Sequence, residues 1–475
     1  MKKLFSVVLL LALTLVLVGC TEDKDELRAQ IETLQEQVLF LQEEMIDIME
    51  TQAETEDELD TKNGIIIDLH EEIADLQDQI EALQAATYDM VLTFEATDLF
   101  GNTVYRTMGV DETDELSLFD IAEDVYDLTY TTSEYGHFLI GIEDFEVPFG
   151  SYLAFYKNGT MSTVGIDDAT YADGDLFTFQ VEWYDATEQA VFEALHRFID
   201  NQLANYLNED YIDYNVLLGC QSLCDGHPVY ERIVNDMQLI NDYVEAMAPD
   251  TVQAYFKAIM IMHAVGYDDA IILDLVTDLS QIVATGPYGQ TAYGLLALDS
   301  YYHEVDYSAY VTAALADLTT TTPYDLGLDS GGISLVALAR YAGQPGIQDL
   351  IDDYVEWIQT DQLATGGIAT RDMGWGTSEN AASLAMVVLG LIANGIDPAG
   401  DDFTVTNGDT TTNLVLRLSE FQTDIGTFDW DLTDATFDDP MFSTPQAFLA
   451  LATYYKHAND DTYTNPFDAQ PIRPE

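Results

Sequence analysis

Residues Ser378 to Gly395 read SENAASLAMVVLGLIANG, apolar or small almost all the way round, and a helix of that kind must be buried on every side. The segment before it has a different pattern. Ile347, Leu350, Ile351, Tyr354 and Ile358 share one helical face, and Asp349, Asp352, Asp353 and Glu356 occupy much of the rest. That is an outer helix laid against an inner one.

The same couple recurs five more times. Outer segments fall near Thr187–Leu207, Pro228–Met247, Asp268–Val283, Asp306–Leu318, Ile347–Gln359 and Thr410–Gln422. Inner ones fall near Tyr211–Cys224, Thr251–Val265, Gly289–Tyr302, Gly332–Ala342, Ser378–Gly395 and Thr444–His457. Inner starts repeat at about 40 residues, stretching to about 66 before the last, a spacing typical of repeat architectures. Neither helix of a couple can bury its faces alone, and six couples closing on themselves leave no open end. Residues 186–460 are therefore expected to form an all-α (α6/α6) toroid, with 461–475 a C-terminal tail.

Ahead of it lie three further regions. Lys2 and Lys3 precede an apolar run to Val18 that is too short to span a bilayer and suits a signal segment, residues 1–19. Its ending, Leu17-Val18-Gly19-Cys20, resembles a bacterial lipobox, which implies lipidation at Cys20 and a protein tethered, extracellular, on the outer face of the cell membrane. Residues 20–87 keep a heptad, with Ile31, Val38, Met45, Leu59, Ile66, Ile73 and Ile80 at a and leucines at most d positions. That pattern favours a parallel coiled-coil homodimer, a rod of roughly 97 Å at 1.5 Å per residue, although Asn63-Gly64 leaves a hairpin open. Residues 88–185 then alternate as strands at Met90–Ala96, Val104–Met108, Phe138–Ile142, Tyr152–Lys157, Thr160–Val164 and Leu176–Val181. One helix sits among them, marked by Leu118, Ile121, Ala122, Val125 and Leu128, with Asp114 near its start. Asn158-Gly159 is a strong hairpin signal. The expectation is a small α+β domain of β-grasp type.

Charge narrows the partners. Asp and Glu number 86 against 15 Lys and Arg, for a formal charge of −71, which argues against nucleic acid and anionic lipid. Hydrophobic content of 48% nevertheless excludes an acidic disordered chain. The run Asp429, Asp431, Asp434, Asp438, Asp439 lacks the glycine and spacing of an EF-hand loop.

Two resemblances carry the functional expectation. Tyr152 to Tyr156, Asn158-Gly159, Val164-Gly165, Asp167 and Asp173-Gly174-Asp175 resemble the β-domain of the transcobalamin and intrinsic factor family. Asp361-Gln362 through Gly366-Gly367 to Trp375 and Glu379-Asn380-Ala381 resemble the repeat of terpenoid cyclase, prenyltransferase and transcobalamin toroids. So do Phe421-Gln422, Gly426, Phe428, Trp430 and Thr444-Pro445-Gln446-Ala447. Here the β-domain precedes the toroid, whereas in that family it follows. The resemblance implies a cobalamin or related corrinoid held between the two domains, passed to a membrane importer, with no cofactor otherwise and no catalysis. It makes Tyr152, Phe155, Asn158 and Gly159 candidate contacts, though the first two also suit a core and the last two a turn.

Long connections at 360–378 and 423–443 add Asp372, Trp375 and Trp430, because aromatics with a few polar groups suit a flat amphiphilic ligand. Gln290, Thr291, Asn380 and Gln446, near inner-helix starts, either face the mouth of the ring or cap their helices. An adhesion or scaffold role through the rod and ring rim is the alternative from another class. The enzyme alternative lacks its residues: no Asp-x-Asp-Asp acid motif occurs, and Cys220-x3-Cys224 with His227 is one ligand short of a closed zinc site. In an exported protein those cysteines are a local disulfide or two free thiols.

Overall fold

The computed structural model describes residues 88–97, 103–111, 116–133, 136–142, 145–148, 150–266, 269–282, 290–300, 305–370, 378–408, 410–432, 440–460 and 462–468. Cys20, the heptad region, Asp372 and Trp375 lie outside the described residues. The chain divides into two compact units. Of the described residues, one comprises those within 88–128, 132–138 and 155–179, and the other those within 129–131, 139–154 and 180–468.

The sheet region opens on β1 (Met90–Thr97) and β2 (Thr103–Val110), an antiparallel pair in register Met90 to Val110. Leu92, Phe94 and Ala96 alternate inward along β1 and are buried, the period-two pattern of a half-buried strand. Helix α1 (Leu118–Val125) starts at Ser117, whose hydroxyl accepts from Asp120 N while the Asp120 carboxylate accepts from Ser117 N. This reciprocal cap sets the helix start, and Asp114 lies outside the described residues. Tyr126 is extended and ends the helix, so Leu128 opens a strand instead of extending the apolar face.

There follow β3 (Leu128–Ser133), β4 (Gly136–Ile142), β5 (Phe145–Glu146), β6 (Ser151–Lys157), β7 (Thr160–Met161) and β8 (Leu176–Trp183). The main sheet runs β2-β1-β8-β6-β7, and β3-β4-β5 form a second sheet. The strand expected through Val164 stops at Met161, where the backbone turns into a short 3-10 segment at Ile166–Asp168.

The helical region is α2 (Ala186–Tyr206), α3 (Tyr214–Cys220), α4 (Pro228–Val234), α5 (Met237–Met247), α6 (Val252–Val265), α7 (Asp269–Ser280) and α8 (Gln290–Asp299), followed by α9 (Ser308–Thr320), α10 (Pro323–Ala339), α11 (Ile347–Asp361), α12 (Ala381–Ala393), α13 (Leu414–Ser419) and α14 (Pro440–Asn459). Helices α3, α6, α8, α10, α12 and α14 pack each against the next, and α14 packs back against α3, which closes the inner ring. Helices α2, α5, α7, α9, α11 and α13 flank it. Every residue of α12 except Ala393 is buried, as its composition requires. A methyl on Gly332 of α10 would collide with the Met386 backbone of α12, so the glycine permits the close approach of these two helices.

Two outer segments differ from expectation. Pro228–Met247 is two helices, because Asp236 caps a second start by accepting from Leu239 N. Thr410–Thr412 pairs as a strand with Val405–Asn407, leaving α13 to begin after Asn413, whose side chain takes Val415 N and Leu416 N. The fourth inner helix starts earlier than Gly332. Its first turn, Pro323–Leu326, is set off from the rest by Gly327 at φ +80°.

Candidate functional site

The side chains that meet at the start of the inner helices are mostly aromatic. The ring of Tyr214, in the first turn of α3, sits 5.2 Å from Phe256 of α6, and Phe256 sits 4.8 Å from Tyr293 of α8. Next along the ring is Asp329 of α10, whose charge bears on Tyr293, and beyond it Ser383 of α12. Desolvation, with Asp329 adding to it, pushes the Tyr293 phenol up to about 12.

Asp329 is exposed, yet burial raises its carboxyl above the ordinary range. A side chain meets both conditions when it lines a concave wall, reached by solvent but surrounded by protein. The Ser383 hydroxyl beside it offsets part of the rise, yet Ser383 Oγ is buried and reaches no well-formed hydrogen bond. A carboxyl with an unspent hydroxyl next to it and tyrosines around it can accept hydrogen bonds from a ligand, and its raised pKa makes it hold its proton more tightly than an ordinary aspartate.

At the far end of the ring the tail passes over the helix ends. Residues Thr462 to Asp468 cross from α14 to α6: the Tyr463 carbonyl meets His457 Nδ1 at 2.9 Å, and the Asp468 carbonyl meets His263 Nε2 at 2.9 Å. Phe467 is buried and packs 5.8 Å from Phe256, centroid to centroid. Among the described residues, this tail thus lies across the last turns of α6 and α14, with Phe467 reaching Phe256 inside the ring.

The residues singled out from sequence occupy several places. Asn380 is buried and caps α12, its Oδ1 accepting from Ser383 N at 2.8 Å. Thr291 is buried with its hydroxyl donating to Asp317 of the outer helix α9 at 2.6 Å, so it faces away from the mouth. Gln290 and Gln446 are half-buried near the starts of α8 and α14. The Trp430 carbonyl accepts from Ala381 N at 3.1 Å, and its ring lies 5.6 Å from Phe442. Trp430 therefore lies between the starts of α12 and α14.

In the sheet region, Phe155 stacks on Phe177 and Phe179, and Tyr152 packs on Tyr184. Asn158 and Gly159 make the β6–β7 turn at φ +51° and +73°, with the Asn158 side chain tied to Asp175 and Leu176 N. These four residues are packing and turn residues. Cys220 and Cys224 are joined as a disulfide, and His227 caps α4 by accepting from Val229 N. The zinc reading of that cluster ends there. Among the described residues no group of three or more His, Cys, Asp or Glu is placed to hold a metal ion.

Sequence reasoning missed Tyr214, Phe256, Tyr293, Asp329 and Ser383. One signal was available for Asp329, an acid inside an otherwise apolar inner-helix stretch, Leu328 to Leu338.

Residues 115–183 match a family described as a domain of unknown function, DUF4430. No curated protein matches the chain. Among solved structures, one described as a candidate metal-binding protein from Ruminococcus gnavus aligns over 20% of this chain and 100% of its own, at 16% identity and a TM-score of 0.18. Another, named UGL with dGlcA-Glc-Rha-Glc, aligns over 61% of this chain and 100% of its own, at 11% identity and a TM-score of 0.41. Among the described residues no helix is long and apolar enough to cross a membrane.

Proposed function

We propose that the chain is a lipid-anchored surface receptor whose helical ring captures a corrinoid or similarly bulky, amide-bearing small molecule for uptake. What supports this reading is the run of Tyr214, Phe256 and Tyr293 rings together with the exposed carboxyl of Asp329, whose charge bears on Tyr293. Aromatic faces suit a flat macrocycle, and a carboxylate with phenols beside it accepts from amide N–H groups at the ligand's edge. The resemblance to transcobalamin and the lipobox at Cys20 belong to the same reading.

Titration of the purified chain with cyanocobalamin, followed by its visible absorbance, tests it. Saturable binding is expected, weakened about tenfold by Tyr293→Ala or Asp329→Asn, as loss of one good contact implies. Absence of binding into the millimolar range removes the corrinoid claim. A second reading rests on the raised, solvent-reached Asp329 carboxyl, which suits a general acid in a cyclase-like enzyme. Turnover of a polyprenyl substrate that Asp329→Asn abolishes would favour it.

A further inference from the structure

At the end of the ring crossed by the tail lies a cavity of about 550 Å³, within the range of small-molecule sites. It is lined by the last turns of α6 and α14, the loop after α3 and the tail. Three of its polar groups have unused bonding capacity. Lys456 Nζ donates to the Leu218 carbonyl at 3.2 Å and lies 5.5 Å from the Tyr463 ring, leaving two of its three N–H directions open when it is charged. The Tyr463 hydroxyl and Gln221 Oε1 are buried with no hydrogen-bond partner. The other end of the Gln221 amide is already committed to the Ala264 carbonyl at 3.1 Å. Unpaired buried groups of this kind are costly unless something completes them.

The three define what would complete them. Lys456 and Tyr463 offer N–H and O–H donors to one anionic oxygen group, and Gln221 Oε1 requires a donor. Tyr455 and Leu223 supply apolar lining around them. We propose that this cavity is a binding site for a small hydroxy acid with an apolar body, its carboxylate on Lys456 and Tyr463 and its hydroxyl on Gln221. The site is separate from the mouth at Asp329 and stands whether or not that mouth takes a corrinoid.

Binding is tied to protonation of the lysine. Burial draws the Lys456 amine down to about 7, against the opposing pull of Asp225. The other titratable groups lining the cavity are Asp460, His263, Tyr230, Tyr455 and Tyr463. Burial lowers His263, and the bonds from Thr462 lower Asp460. Of the cations lining the cavity, Lys456 is thus the one whose charge a carboxylate would stabilise as pH falls through neutrality.

The probe is mandelate, with phenylacetate lacking the hydroxyl and benzyl alcohol lacking the carboxylate, each titrated into the purified chain by calorimetry. Mandelate is expected to bind at least about tenfold tighter than either control. It should weaken at least about fivefold between about pH 6 and pH 8, with proton uptake visible as a buffer-dependent heat. Lys456→Met should erase the preference for mandelate while Asp329→Asn leaves it intact. If Lys456→Met does not fold, Tyr463→Phe supplies the same comparison. Equal binding of all three probes, no mandelate binding to about 20 mM, or a preference unchanged by these substitutions overturns the proposal.

Discussion

Arg197 in the first helix of the ring donates to Gln422 Oε1 at 2.8 Å, across 225 residues of chain. Gln422 Nε2 in turn donates to the Ala194 carbonyl at 2.8 Å, so one amide side chain ties the last outer helix to the first. The same arrangement occurs one seam earlier, where Gln362 Nε2 donates to the Phe403 carbonyl at 2.7 Å and the Gly366 carbonyl at 2.9 Å. Each glutamine precedes a tight turn, bridged from Gln362 to Ile368 and from Gln422 to Phe428. The repeated glutamine thus ties each turn to the next segment around the ring, to the 3-10 turn at Asp401–Phe403 for Gln362 and to helix α2 for Gln422.

Gln422→Ala should therefore lower stability by about 2–3 kcal/mol, because it strands a half-buried guanidinium and a helix carbonyl together. Gln362→Ala should cost about 1–2 kcal/mol, since it strands only carbonyls. Urea unfolding of the two variants measures the difference, and equal small losses would argue that the ring closes by apolar packing alone.

Two glycines at positive φ should respond differently to alanine. Gly426 sits at φ +90°, and a methyl there would meet the Arg197 carbonyl at 2.7 Å. Gly159 sits at φ +73° with nothing within 4 Å of an added methyl. Gly159→Ala should cost about 1 kcal/mol from backbone strain alone, and Gly426→Ala about 3 kcal/mol or more from strain plus collision. Thermal melts of both variants are the check.

In the sheet region the His137 backbone N–H donates to Asp167 Oδ2 at 2.7 Å, and His137 Nδ1 lies 2.6 Å from Asp167 Oδ1. Desolvation alone would raise the Asp167 carboxyl, but these bonds outweigh it and hold it below its ordinary value. A carboxyl lowered in the folded state stabilises above its unfolded pKa and loses that contribution as pH falls through the folded one. Asp167→Asn should cost about 1 kcal/mol at neutral pH, with the deficit closing below about pH 4. Melting the variant against the parent across that range reads the sign directly.

Asp329 has the opposite sign. Its raised carboxyl means the folded chain holds the proton more tightly, so its contribution is full below about pH 4 and is lost as pH rises through the folded pKa. Asp329→Asn should therefore match the parent near pH 4 and be the more stable protein near pH 7, by about 1 kcal/mol or less since solvent reaches the group. A variant more stable but weaker in cobalamin binding would mark Asp329 as a residue kept for the ligand at the expense of the fold.

The alternation of amphipathic and fully apolar segments was legible because burial imposes composition. A helix walled in on all sides, such as α12, tolerates almost nothing but apolar and small residues. Asn158-Gly159 was legible for a local reason, since both residues accept positive φ and the turn needs them to. Boundaries failed where a cap or a break decided them. Ser117 and Asp120 cap the helix in the sheet region, and Gly327 placed Asp329 inside the inner helix, where the apolar run alone began at Gly332. The candidate contacts were less legible, because an asparagine at a helix start serves its own backbone as readily as a ligand. Asn380 is bonded to Ser383 N, and Thr291 is turned toward Asp317.

What the sequence by itself determined was the kind of each segment and the order of helix couples, because helix periodicity, caps and turns are settled among residues a few positions apart. Only the tertiary structure decided that α14 meets α3, that Phe467 reaches Phe256 inside the ring, and that Asp329 comes to stand beside Tyr293 and Ser383. Those neighbours are far apart along the chain, and what brings them together is the burial of faces that no single couple can cover.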